Sequence, residues 1–277
     1  MINLLRAEFL KSRRNLAVSV LSVGVLPVTT IVLLTVFTML DRFTTLQSPI
    51  ATINLNEQVI LALLFANQII AQGLYIIFAA VSFGSETTWN TWKNILPRTD
   101  RNQIVIAKYI IIIAGIIFST QMMAIMTVIG SLEYAIFLKL PIETGAWNDF
   151  DIPFVQQYLW VSFAIFANFF MASFYASIAA IITRSTSAGI VIGFMMTFAD
   201  NIAQAALGFI SAVFNIGFIA DITRILPNYN VQNIMAWVST GTTLDNWALG
   251  LSSMILLVWI LSGIIITMTV FLRRDIQ

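Results

Sequence analysis

Six apolar runs, at 16–40, 58–83, 104–132, 155–182, 188–214 and 248–271, decide what this chain can fold into. Each is long enough to cross a ~30 Å hydrocarbon core as a helix rising ~1.5 Å per residue. Helices are required there, because lipid offers no partner to backbone N–H and C=O groups. Charged residues make up 10% of the chain and its mean hydropathy is +0.90, against about 25% charged in a soluble domain. The sequence therefore specifies an all-α integral membrane protein with six transmembrane helices. No soluble domain or long linker interrupts the runs, so 1–277 is expected to form one transmembrane domain.

Ahead of the first run, residues 2–14 set Ile2, Leu5 and Phe9 on one helical face, with Leu16 continuing it, and Arg6, Glu8, Lys11, Arg13 and Arg14 on the rest. A basic amphipathic helix of this kind lies in the headgroup region with its apolar side down. The following run is far longer than the ~7–15-residue core of a signal peptide, so it is expected to stay in the membrane. With both termini in the cytosol, only Arg42, Lys139 and Arg224 of the 14 basic residues fall outside. That bias sets the orientation.

Between runs two and three lies a polar elbow, 84–103, GSETTWNTWKNILPRTDRNQ. Its first half suits a short helix capped by Thr87 or Thr88 and stopped by Pro97. Asp100 and Gln103 then have the spacing of a capping box for the next helix. Trp89 and Trp92 share a face, and Lys93, Arg98 and Arg101 oppose Glu86 and Asp100. On the far side, 215–247 contains two apolar stretches, 216–226 and 231–238, separated by Pro227 and too short to span. They either dip into the outer leaflet or form a surface cap held by Trp237 and Trp247.

Two runs carry polar residues at membrane depth. Run two holds Asn67, Gln68 and Gln72. Run five holds Thr197, Asp200, Asn201 and Gln204, within a stripe of Gly189, Gly193, Thr197, Asp200, Gln204, Gly208, Ser211 and Asn215 that recurs every three or four residues. Small residues let helices approach closely, and a carboxylate at mid-bilayer must face protein or water. The stripe is a tight interhelical seam or the border of a transport route. Both remain open at this point.

Several chemistries are excluded. There is no cysteine and no histidine, so thiol chemistry, Cys/His metal sites and histidine acid–base catalysis are absent. No phosphate loop, dinucleotide fingerprint or nucleophile elbow occurs. No catalytic or metal-binding residue is assigned, and no nucleic-acid partner is expected.

The entry segment LLRAEFLKSRRN and the stretch SETTWNTWKNILPRTDRNQIVIAKYI resemble the permease subunits of type-2 ABC exporters. The look is closest to antibiotic-resistance and lantibiotic-immunity permeases. The positions that carry the resemblance are Glu86, Thr91, Trp92, Lys93, Pro97, Arg101 and Lys108, with Thr91 where many relatives have glycine. The resemblance implies a bacterial cytoplasmic-membrane permease, paired with a second copy or a sister permease. Each would be seated on a cytosolic ATPase that holds the ATP and magnesium. It further implies that Arg6, Lys11, Glu86, Trp89, Trp92, Lys93, Arg98 and Arg101 face the ATPase. Asn67, Gln68 and Gln72 on helix two, and Thr197, Asp200, Asn201 and Gln204 on helix five, would border the route. A gradient-driven transporter and an accessory membrane subunit are the alternatives. The first usually shows inverted repeats and ionisable residues at the midplane, and only Asp200 fits.

Overall fold

A computed structural model describes residues 2–14, 16–43, 52–88, 100–145, 152–214 and 217–273. Helices α1 (Ile2–Arg14) and α2 (Leu16–Phe43) open the chain. Run two becomes α3 (Leu55–Ala66) and α4 (Ile69–Thr88), and run three becomes α5 (Arg101–Leu138). Then come α6 (Phe154–Thr183) and α7 (Thr186–Phe214), the short α8 (Gly217–Ile225) and α9 (Pro227–Thr240), and α10 (Leu249–Leu272). Six of these helices are long and apolar enough to cross a membrane.

Helix α6 is the axis of the bundle. In its membrane-length window 78% of residues are buried, against 11% for α2 and for α7. Its sequence explains this: Phe169, Phe170 and Phe174 fill space while Ala164, Ala167, Ala172, Ala176 and Ala180 let neighbours approach. Helices α4, α7, α9 and α10 pack on it, and α2 runs along α5. A left-handed Arg184 (φ 58°) makes the tight turn from α6 to α7. At 38 residues, α5 is ~57 Å long and outruns a bilayer core, so part of it must stand outside.

The structure refines the expected elements. Run two is not one helix: it breaks at Asn67–Gln68, where both amides bond back to carbonyls three residues earlier, Leu64 (3.2 Å) and Phe65 (3.3 Å). The freed Asn67 carbonyl accepts from Gln72 Nε2 at 3.3 Å. Side-chain amides thus replace the missing ladder bonds, which lets a helix break at membrane depth without proline or glycine.

Residues 84–88 continue α4, and the short helix expected between Thr88 and Pro97 lies outside the described residues. The rest of the elbow, 89–99, with Trp89, Trp92, Lys93 and Arg98, lies outside the described residues. Asp100 does occupy the N-cap position of α5, but its carboxylate accepts from Gln103 Nε2 (3.1 Å) and caps no backbone amide. Finally, α9 is built into the bundle. Asn228, Tyr229, Asn230, Val231, Asn233 and Ile234 are buried, and the helix packs on α6 and α10. Pro227 sits in its first turn, where its missing N–H costs nothing.

At the same end as α9, two loops meet in a small parallel pair, β1 (Ile53–Asn54) with β2 (Ile142–Glu143). Asn54 accepts from the amides of Asn56 and Glu57, capping α3, and Asn56 Nδ2 donates to the Thr144 and Gly145 carbonyls.

Candidate coupling cluster and polar groove

At the opposite end, four charged side chains join three elements. Lys108 stands on α5 among Ile104, Val105, Tyr109 and Ile112, and its side chain is 2% exposed. A buried ammonium needs its three donors met and its charge balanced. Its Nζ donates to Glu8 Oε2 at 3.1 Å and to the Ser82 carbonyl at 2.6 Å, and it lies 3.1 Å from Glu86 Oε1. Lys11 Nζ closes the circuit, 2.8 Å from Glu8 Oε1 and 2.5 Å from Glu86 Oε1. Two acids and two bases leave the cluster neutral. It locks α1 and the end of α4 to the foot of α5.

This arrangement changes the reading of α1. Glu8 is buried and turned towards the bundle, with Leu4 one turn earlier packed on the core. Ile2 and Phe9 point away from it, at 81% and 58% exposed. The helix is therefore tied down by an acid its amphipathic pattern had assigned to the polar face. Burial pushes the Glu8 carboxyl up, but the attraction and hydrogen bonds of Lys108 and Lys11 outweigh it, and its pKa lies below the usual value. Burial pushes Lys11 down, but Glu86 and Glu8 reverse this and hold its pKa above the usual lysine value. Both shifts favour the charged forms around neutral pH.

The sequence pointed to Lys11 and Glu86 but not to Glu8 or the Ser82 carbonyl. The available signal was Lys108 itself, four residues into an apolar run, which had to find acids on neighbouring elements. Arg101 does not join the cluster. It donates to the Leu272 carbonyl at 3.1 Å, satisfying the end of α10 as basic groups do at helix C-termini. Arg6 is exposed on α1.

The polar residues at membrane depth separate into two settings. In the half of α7 nearer the charge cluster, the stripe is a seam. A Cβ added at Gly189 would lie 2.7 Å from the Ala180 Cβ, and one at Gly193 would lie 2.9 Å from both Ala176 Cβ and Ile76 Cγ2. Thr197 is buried at the end of this seam.

In the other half, the stripe opens onto a groove of about 870 Å³ between the α3–α4 break, α7 and α9. Asn67, Gln68, Asn201, Gln204, Asn228 and Gln232 line it. Gly208 also borders it, and a Cβ there would meet nothing within 4 Å. Asn168 on α6 donates to Asn67 Oδ1 at 2.6 Å, and Asn228 Nδ2 donates to Gln204 Oε1 at 2.9 Å. Neither Asn168 nor Asn228 stood out in the sequence, because a single amide in an apolar helix carries no periodic signal.

Three of the expected residues do not line the groove: Thr197, at the end of the seam, Gln72 and Asp200. Gln72 is fully buried behind the break. Asp200 is half-buried on α7 near Tyr175, and among the described residues it makes no hydrogen bond or ion pair. Among the described residues there is also no cluster of acids suited to a metal ion.

Comparison with known proteins gives one finding. A family model described as ABC-2 family transporter protein matches residues 4–200, from α1 through the cluster and the α3–α4 break into α7. No curated protein sequence and no solved structure matches the chain. The matched region covers more than half of the 277 residues and contains every residue of the charge cluster, and on that ground the chain belongs to the ABC-2 family of transporter proteins.

Proposed function

We propose that this permease is driven by a separate cytosolic ATPase and exports its cargo along α3, α4 and α7. The observation that carries the reading is the four-residue cluster. It makes α1, the end of α4 and the foot of α5 one mechanical unit at the end of the molecule where the elbow 84–103 begins. A partner seated against α1 and the elbow moves α4 through this joint, and α4 leads to the break at Asn67–Gln68 and the groove beyond.

On this reading the cluster end is cytosolic, as the distribution of basic residues requires. The membrane is a bacterial cytoplasmic membrane, and the permease works as a pair, with itself or with a sister chain. Catalysis of ATP hydrolysis, with its magnesium, belongs to the partner, because this chain has no phosphate loop. The wide lipid-level exposure of α2 and α7 is in keeping with a second permease. The cargo is an amphiphile of the kind handled by resistance and immunity permeases.

The test is purification of the native complex in mild detergent, with identification of every stoichiometric subunit. An ATP-binding chain at a fixed ratio to the permease is expected. A pure permease that transports by itself in a proton or sodium gradient would overturn the division of labour.

A further inference from the structure

Resting on the reading that the route follows α3, α4 and α7, we propose that the groove selects the uncharged, hydrogen-bond-donating part of an amphiphilic cargo. The class is a neutral head of N–H or O–H groups beside an apolar body, and formally charged heads are excluded.

The lining carries the argument. Among the described residues, every polar side chain on the groove wall is a carboxamide or a hydroxyl, and no Asp, Glu, Lys or Arg lines it. A cation would lose its water there without a carboxylate to replace it, and an anion would find no guanidinium or ammonium on the wall. Asp200, the one ionisable group nearby on α7, is not on the wall.

The amides are wired so that acceptors remain. Asn201 gives one N–H to the Thr197 carbonyl at 2.8 Å, and its Oδ1 accepts from no described residue. Asn228 spends its N–H on Gln204. Its own Oδ1 has no donor, although the residue is only 5% exposed. A buried acceptor left unpaired is costly, and a donor on the cargo relieves it. Asn67 and Gln204 run the other way, their oxygens already taken by Asn168 and Asn228, so the wall offers amide donors as well as acceptors, and the buried acceptor without a donor is Asn228 Oδ1. Phe198, Met235 and Leu244 are among the residues that supply the apolar remainder. The α9 side of this wall, with Asn228 and Gln232, lies beyond the part of the chain that the family model matches.

The chain has no cysteine, so Ser239→Cys, on the groove wall, gives the permease a single thiol, and its labelling is read on the permease band of the complex reconstituted in lipid nanodiscs. The probes are three single-chain amphiphiles of one tail length, with a glycoside, a quaternary ammonium or a sulfate head. The glycoside is expected to protect the thiol from a maleimide at about tenfold lower concentration than either charged probe. Asn228→Leu is expected to abolish that advantage. Gln232→Glu, a change at a partly exposed position that leaves the Asn228–Gln204 bond in place, is expected to hand it to the ammonium probe.

Equal protection by all three probes would mean that only the tail is bound, and would overturn the proposal. So would absence of protection by any probe, or a Gln232→Glu protein with unchanged preference. Each of these leaves co-purification of the ATPase untouched, so failure of the groove is distinguishable from failure of the permease reading.

Discussion

Replacing Lys108 by methionine tests the charge cluster at its most buried member. The substitution keeps the aliphatic volume of the side chain and removes the ammonium that lies 3.1 Å from both Glu8 and Glu86. Among the described residues, Lys11 is then the base that both carboxylates share, and its side chain is 45% exposed. Breaking a buried pair by deleting one partner costs about 3–5 kcal/mol, because the remaining charge stays desolvated.

Glu8→Gln alone is expected to cost less, since Lys108 keeps Glu86 and the Ser82 carbonyl. The double variant removes one acid and one base, and leaves the Lys11–Glu86 pair and a neutral cluster. It is therefore expected to be more stable than the sum of the two single losses by about 1–3 kcal/mol, the range for residues in direct contact. The assay is the unfolding midpoint of the four proteins in identical mixed micelles, read by tryptophan fluorescence. Losses that add to within about 0.3–0.5 kcal/mol would show that Glu8 and Lys108 do not act on one another, and α1 would not be tied down as described.

Further outcomes follow from other parts of the molecule. The Glu8 carboxyl titrates below its usual value, so its contribution is complete above the unfolded pKa and is lost as pH falls through the folded one. Lys11 titrates above its usual value, so its contribution is complete below the ordinary lysine pKa and is lost as pH rises through the raised one. Docking of α1, followed by spin labels at Arg6→Cys and Asn102→Cys, should be flat near neutrality and fail at both extremes. Failure centred between pH 6 and pH 8 would contradict this. Gly193→Leu should disrupt assembly, since even a Cβ there meets Ala176 and Ile76 at 2.9 Å, whereas Gly208→Ala should leave the melting temperature unchanged; equal effects would dissolve the division of the stripe into seam and groove. A thiol at Thr144→Cys should react with an impermeant reagent in intact cells and one at Gln277→Cys should not; the reverse pattern would invert the topology. Asp200→Asn should assemble as wild type, because the carboxylate has no hydrogen bond or ion pair to lose among the described residues; loss of assembly would place an unseen partner there.

The membrane fold was legible in the sequence because lipid leaves few choices. An apolar run must be helical, and its ends are marked by Arg184, Pro227 or the polar elbow. The break at Asn67–Gln68 was not legible, because its stabilisers are side chains, Gln72 and Asn168, whose geometry no linear pattern reports. The pairing of Ile53 with Ile142 was hidden for the same reason: two loops far apart in sequence meet where α3 packs against α5.

For the site, Lys11 and Glu86 could be named from their places beside the membrane, whereas Glu8 was hidden by its basic neighbours on an amphipathic helix. The mixed character of the stripe on α7 depends on what faces it. Gly189 meets Ala180, and Gln204 meets Asn228 from a segment that sequence alone left between cap and insertion.

The central claim is that motion enters through the cluster and reaches the groove, and it can be tested without knowing the cargo. Spin labels at Phe65→Cys on α3 and Phe209→Cys on α7, both exposed, report the distance across the groove in the permease–ATPase complex. The account predicts that trapping the ATPase with ATP and vanadate changes this distance in the otherwise native permease. In a complex carrying Lys108→Met that still binds its ATPase, the distance should stay where it was. The same ATP-dependent change in both complexes would contradict it.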